Sequence, residues 1–490
     1  MTGKKFSLML VLWFGLLQGI YPVFAAEPVA AGAAAVPQVQ AETKTTVFTR
    51  LRSSQNVEKT RIVLDLSSIP EYTVEPQGDG KQLTVTLKNT ALSGISPVYT
   101  FKDNLVKQVM AVSAAEKEVK IVIDLAYSPH YEIYRLNGPP RLVIDFWKVF
   151  EQKTEQQLAA GLNYTAIRKA TTDGPLSIHI LDYDLKNPQL KLEHVLAKDF
   201  IVGTETVRSM SMRKNALAAV NGTYFSPSGE LLGLIVQDGQ IMQNPVNERS
   251  AFALTYAGDM LLDQVSYAGE LVLPDGNECE LDAVNRERGP DALVLYTPAY
   301  GASTRTNKYG TEYVVVEGKV SQISTGNTAI PPNGFVVSGH GAKDKALAAL
   351  KVGDPLSVKH ALTPDWSDVR LAVGAGPQLV RDGTIYLTTK TEGFGSDVAG
   401  GRAPRTAVGM TAQGRMLLVV VDGRQPGYSV GMTLLEMGKL LQSLGAVNAL
   451  NLDGGGSAEM VVNGVVVNQP SDGRERPVGD ALLVVPAVRK

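Results

Sequence analysis

The chain has one cysteine, three tryptophans and almost no surplus of charge, with 47 basic residues against 49 acidic ones for a formal net charge of −2. A single cysteine excludes an internal disulfide and any zinc site built on several thiolates. Cys279 stands in Glu278-Cys279-Glu280 with no histidine beside it, the context of a small packed residue. Balanced charge excludes a global field able to hold nucleic acid or an anionic membrane, so an anionic ligand has to be met by local donors. Long apolar runs are missing too, apart from one at the start. Phe6 to Ile20 follows Lys4 and Lys5 and leads into Val23-Phe24-Ala25-Ala26. The run is shorter than the ~20 residues of a membrane span and has the pattern of an export signal. We therefore expect residues 1–26 to be a cleaved signal peptide. The mature chain is expected to be secreted or held in the cell envelope, with no transmembrane span.

What is present is 44% hydrophobic and 20% charged, with 47 Gly and 26 Pro. These are the proportions of a globular protein with many strands and turns, and the length predicts two or three domains. Residues 27–44, rich in Ala, Pro and Val without an amphipathic period, read as a flexible spacer. From Thr45 the pattern alternates with period two. Ile62-Val63-Leu64-Asp65-Leu66 with Pro70 and Tyr72 resembles Ile121-Val122-Ile123-Asp124-Leu125 with Pro129 and Tyr131, and Arg141-Leu142-Val143-Ile144-Asp145-Phe146 is a third such run. This predicts a small β-sandwich over 45–148, built from a duplicated half. Residues 149–165, polar and Gln-rich, read as a linker or short helix.

Over 166–490 strands and helices are expected to alternate. Leu217-Ala218-Ala219-Val220 and Met416-Leu417-Leu418-Val419-Val420-Val421 read as buried strands, the second covered on both faces. Thr433-Leu434-Leu435-Glu436 is a capping box, followed by the stripe Leu434, Met437, Leu440, Leu441, Leu444 and a stop at Gly445. Val447 to Leu452 is the next strand. The expected fold class is α+β: a mixed-sheet α/β catalytic domain preceded by a small all-β sandwich.

The motifs that carry chemistry stand at strand ends. Asp453-Gly454-Gly455-Gly456-Ser457 follows a core strand directly, and three successive glycines suit a nest of N–H groups around an anion. Arg402 and Arg405, in Arg402-Ala403-Pro404-Arg405-Thr406, offer planar forks for phosphate, with Thr406 beside them. Asp422-Gly423-Arg424 closes another apolar strand, where ligand sites of α/β sheets gather. Asn221-Gly222-Thr223-Tyr224-Phe225 is a polar turn whose Asn221 suits a sugar hydroxyl and whose Tyr224 or Phe225 suits a sugar ring. His340, flanked by glycines, is a further candidate; His179, His194 and His360 read as structural. Asp422, Asp453 and Asn451 are also oxygen ligands that would suit Ca²⁺ or Mg²⁺. No loop has recognisable metal-ligand spacing, so no cofactor is expected.

The runs Arg61 to Leu66 and Arg141 to Phe146 resemble the AMIN domain, a module of exported bacterial proteins that work at peptidoglycan. Over about residues 200–487 the chain resembles the phosphodiester glycosidase family, typified by the uncovering enzyme of the Golgi. The matching pieces are Asn221 to Phe225, Gly376-Pro377, Arg381-Asp382-Gly383, Arg405 to Gly409, Val421-Asp422-Gly423, Leu435-Glu436-Met437, Val447 to Ala458, Val462-Asn463-Gly464 and Gln469 to Asp472, in the family's order. The eukaryotic member's cysteine-rich content is absent. The resemblance implies hydrolysis at the anomeric carbon of a sugar–phosphate diester. An oxocarbenium-like transition state wants a nearby carboxylate, for which Asp422 and Asp453 are the candidates. Arg405, the amides of Gly454, Gly455 and Gly456, and Ser457 would stabilise the departing phosphate. The expected partners are a phosphorylated glycan and, through the AMIN-like part, a cell-wall polymer. The alternative from another class is a non-catalytic envelope module that binds phosphorylated polysaccharide.

Overall fold

The computed structural model describes residues 45–171 and 173–487, so the expected signal peptide and spacer lie outside the described residues. Residues 45–147 form two five-stranded sheets packed face to face. One contains Thr46–Gln55, Lys59–Leu66, Tyr131–Asn137 and Pro140–Trp147; the other contains Tyr72–Gln77, Gln82–Lys88, Val106–Ala115 and Glu118–Leu125. Alternation drives the packing. Lys59–Leu66 and Glu118–Leu125 bury every second residue in the same pattern, sending Ile62, Leu64, Ile121 and Ile123 into one core. Each half contributes one hairpin to each sheet, which is the topology of a duplicated half.

No linker follows. Residues 149–165, expected as a linker or short helix, belong to the strands Phe150–Ala159 and Leu162–Thr171. They open an eight-stranded sheet that continues through Gly174–Asp184, Arg415–Val421, Arg405–Thr411, Ala446–Asn451, Gln378–Arg381 and Thr384–Ile385. Seven consecutive residues of the first strand, Glu151 to Gln157, are exposed. An edge strand wet on both faces needs no apolar alternation, which is why the pattern hid it.

The mixed α/β sheet is corrected in the same way. Every pairing in the eight-stranded sheet is antiparallel. Arg415–Val421 is buried on both faces as read: Leu417, Val419 and Val421 pack under the helix Leu434–Ser443, and Leu418 and Val420 join the core on the other side. The strand–helix–strand unit exists, and its two strands run parallel. Arg405–Thr411 lies between them and pairs antiparallel with both, so the sheet is not the doubly wound kind. The helix carries the full capping box, Thr433 accepting from the Glu436 N–H and Glu436 accepting from the Thr433 N–H. On the far core side lies a sheet of Leu190–Leu196, Asp480–Pro486, Ala218–Asn221, Met460–Val462 and Val465–Val466. Residues 266–363 supply two further small sheets remote from these motifs. Among the described residues no helix is long and apolar enough to cross a membrane.

Candidate functional site

Antiparallel pairing brings the motifs together. Arg405 begins its strand opposite Val421, and Ala407 lies opposite Asn451, so the start of one strand meets the ends of two others at one sheet edge. There a cavity of about 220 Å³ is lined by Tyr224, Arg405, Asn451, Asp453 and the three glycines, together with Asp397, Arg424 and Arg476.

Asp453 is gripped through its backbone. Its N–H donates to Gly222 O at 3.1 Å, and Asn221 Nδ2 donates to its carbonyl at 2.7 Å. Asn221 is itself held: its Oδ1 accepts from Thr406 Oγ1 at 2.7 Å and from the Glu459 N–H at 3.2 Å. The Asp453 carboxylate, freed from backbone duty, accepts from the Gly454 N–H at 2.9 Å and faces the cavity. Burial pushes its pKa up to about 6, with the charge of Asp480 adding to the rise; Ser457, the Gly454 amide and Arg476 oppose it. A carboxyl group in that range exchanges a proton near neutral pH.

The glycines do a different job from the one expected. The Gly454 N–H goes to Asp453 and the Gly455 N–H to Pro404 O at 2.9 Å, so a three-amide nest does not form. Close approach explains them instead. A Cβ at Gly454 would sit 2.7 Å from Pro404 O, and one at Gly455, where φ is +60°, would sit 3.1 Å from Arg424 Nη1.

Positive charge comes from three arginines. Arg405 is buried and has no carboxylate partner among the described residues: Nε donates to Met432 O at 3.0 Å, Nη1 to Val398 O at 2.9 Å and Nη2 to Gly401 O at 3.2 Å. It therefore does not neutralise Asp453, and burial lowers its pKa. Arg424 makes no hydrogen bond or ion pair among the described residues and takes φ +59°, a conformation that costs energy without a glycine. Arg476 pairs with Asp472 at 2.7 Å and reaches Ser457 Oγ at 3.4 Å. Sequence reasoning missed Arg476 and Asp397 and quoted Arg424 without assigning it. Its place after Asp422-Gly423 was the one available signal.

The polar wall is formed by Tyr224 and Asn451. Tyr224 donates to Gly376 O at 2.8 Å, accepts from Asn451 Nδ2 at 2.8 Å and packs against Phe394, with ring centroids 5.8 Å apart. Asn451 is almost fully buried, and its Oδ1 has no partner among the described residues.

Other expected site residues lie elsewhere. Asp422 does not line the cavity; it is buried and accepts from Tyr428 at 3.0 Å, Asn468 Nδ2 at 2.9 Å and the Gln469 N–H at 3.0 Å. Asp422, Asp453 and Asn451 thus do not converge as metal ligands. Arg402 is engaged by Glu436 at 2.6 Å and Asp173 at 3.0 Å. Phe225 packs among core residues, and His340 precedes a short helix in the remote sheets, accepting from the Asp291 N–H at 3.1 Å. Gly222 lies behind Asp453, where a Cβ would collide with the Asp480 carboxylate.

Residues 309–485 match the model of the phosphodiester glycosidase family. The chain is 32% identical over 175 residues to mouse N-acetylglucosamine-1-phosphodiester alpha-N-acetylglucosaminidase, an overlap of 32% of this chain and 33% of that protein. The match thus spans about a third of that relative's length. A solved structure of a hypothetical protein from Synechocystis shares the fold, with a TM-score of 0.64 and 23% identity over 91% of this chain and 81% of that one. Another, from Burkholderia pseudomallei, has a TM-score of 0.55 and 23% identity, covering 85% of this chain and 97% of that one.

Proposed function

We propose, on the footing that residues 309–485 belong to the phosphodiester glycosidase family, that the protein hydrolyses a sugar-1-phosphodiester to a free sugar and a phosphomonoester. One observation carries the reading: a single cavity holds a carboxyl group near pKa 6 and two guanidinium groups that no carboxylate among the described residues neutralises. In this reading the phosphate lies against Arg424, Arg405 and Arg476. The bond from the anomeric carbon to the phosphate oxygen breaks, and that oxygen keeps the electron pair. The arginines stabilise its charge, so a phosphate leaving group needs little protonation. Water adds to the anomeric carbon and gives its proton to Asp453, which is mostly ionised at pH 7. The unpartnered Oδ1 of Asn451 supports a role as acceptor for a sugar hydroxyl. Asp422 holds the segments on either side of the cavity through Tyr428 and Gln469 and touches no substrate.

The test is incubation with a chromogenic sugar-1-phosphodiester, measuring reducing sugar and phosphomonoester together. Equimolar release, lost in Asp453→Asn, supports the enzyme. Saturable binding without turnover would make the protein a glycan-binding module instead. The setting belongs to the same proposal: an exported chain whose sandwich, AMIN-like in its strand motifs, holds it at the cell wall, where the substrate is envelope or exopolysaccharide material. Adhesion of the full chain to isolated wall, absent with a wall-free control polymer, checks that part.

A further inference from the structure

Asp480 and His194 are buried completely, with their side chains 2.7 Å apart. The pair lies behind the turn that grips Asp453. Asp480 Oδ1 accepts from the Thr223 N–H at 2.9 Å, and its backbone carbonyl accepts from the Gly222 N–H at 3.1 Å. Gly222 has no room for a side chain because the Asp480 carboxylate occupies that space. The turn in turn binds Asp453 on both sides, through Gly222 O and Asn221 Nδ2. Asp480 is the first residue of its strand, directly across from Leu196, and its neighbour Ala481 lies across from Asn221. A carboxylate there costs desolvation unless it is hydrogen-bonded, and His194 Nε2 supplies the bond. His194 Nδ1 faces Gln237 Nε2 at 3.1 Å, so the ring accepts at one nitrogen and donates at the other.

We infer that Asp480, held by His194, is a positioning residue of the reaction, fixing the Asn221–Thr223 turn that grips Asp453. The inference rests on the proposed role of Asp453. The charged groups facing Asp453 are Arg405, Arg424, Arg476 and Asp397 around the cavity and Asp480 from behind. Those nearest His194 on its outer side are Lys191, Glu193, Asp199, Lys214, Asp238 and Arg370, which line an open pocket of about 280 Å³. The charge of Asp480 adds to the rise that burial gives Asp453, opposing Arg476.

The test separates this role from activity. In full-length protein with ¹³C-labelled aspartate carboxyls, the resonance that disappears in Asp453→Asn reports the titration of Asp453 whether or not the protein hydrolyses anything. Asp480→Asn keeps an acceptor for Thr223 and removes the charge. We expect the Asp453 titration to move to lower pH, and the acid limb of the kcat profile to move with it. Asp480→Ala, which removes both, is expected to lower kcat at least tenfold with KM within about threefold. If Asp480→Ala does not fold, His194→Phe serves in its place and should lower kcat likewise, whereas His194→Gln, whose amide can still donate to Asp480, should keep kcat near parent. An unmoved Asp453 titration in Asp480→Asn overturns the charge role, and parental kcat in Asp480→Ala or His194→Phe overturns the positioning role. If no hydrolysis is found with any diester, the positioning role falls with the proposed role of Asp453, and the titration still decides the charge role.

Discussion

At the scale of single residues the site is a set of conflicts held in place by its surroundings. Asp453 ionises at a cost, since burial has pushed its carboxyl from an ordinary 3.8 up to about 6. A carboxyl whose folded pKa is raised stabilises the fold most when protonated. Stability is therefore lost as pH rises from about 4 to about 6, and the loss is complete above that window. Asp453→Asn removes the charge while keeping the shape. It should match or exceed the parent in thermal stability at pH 7.5, by on the order of 1–3 kcal/mol, and the gap should close below pH 4. Turnover should fall by on the order of 10³-fold or more. A variant that melts well below the parent at pH 7.5 would make Asp453 a structural cap. Arg424 makes the complementary case. It has no partner to lose, so Arg424→Ala should leave Tm within about 2 °C. The KM for a phosphodiester should rise roughly tenfold, as expected for loss of a charged contact. An unchanged KM would remove Arg424 from the phosphate site. Arg405→Lys differs: it strips donors from three backbone carbonyls, so it should lower Tm as well as activity.

At the scale of elements, the legible parts were those encoded locally. The helix Leu434–Ser443 is announced by its capping box and apolar stripe, and the strand tips by apolar runs ending in Asp or Asn. Because loops at strand ends gather at one sheet edge, Asp453, Arg405, Asn451 and Tyr224 could be named before their distances were known. Long-range pairing was not legible. Nothing in Arg405–Thr411 says that it inserts between two strands that a helix separates from each other, so the pattern reads as a mixed sheet where an antiparallel one exists. The Asp422 network hid for the same reason: Asn468 and Gln469 lie 46 and 47 residues away in sequence. Arg476 gave no sign, being one charged residue in an ordinary polar run. The capping box also has a consequence of its own. Glu436 serves both Thr433 and Arg402, so the helix start is tied to the segment leading into Arg405. Thr433→Ala removes one half of the box and should cost about 1 kcal/mol in a chemical-denaturation midpoint, with kcat/KM unchanged. A fall in kcat/KM beyond about threefold would show that the helix start transmits to the site.

For the whole molecule, the question is whether the N-terminal sandwich is a separable module. The strand Pro140–Trp147 ends and, after Lys148 and Val149, Phe150–Ala159 begins, already paired along its length with Leu162–Thr171. A tether of two residues leaves the sandwich little freedom. Its segment around His130 and Glu132 also approaches the loop that bears Arg424. The Glu132 carboxylate lies 3.3 Å from where a Cβ of Gly427 would stand, and the His130 ring 3.5 Å from that of Gly174, which itself packs on Val430. The same loop is held from the other side, with Arg168 Nη1 donating to Tyr428 O at 3.0 Å and its guanidinium 4.5 Å from the Tyr428 ring centroid. Its tip rests on the sandwich. A chain that starts at Glu155 would lose the sandwich and the first half of an edge strand together. We expect its Tm to fall by roughly 5 °C or more, and its KM for a small diester to rise several-fold as Arg424 loses support, with kcat changing less. In the full chain, Glu132→Arg should reproduce part of the KM effect without the loss of stability, since it disturbs the loop tip and leaves both cores intact. Hydrogen exchange of the amides from Arg424 to Val430 reads the same motion directly and should quicken in both variants. Parental KM and parental exchange in both would make the sandwich a passenger on the larger fold, and its approach to Gly427 and Gly174 incidental.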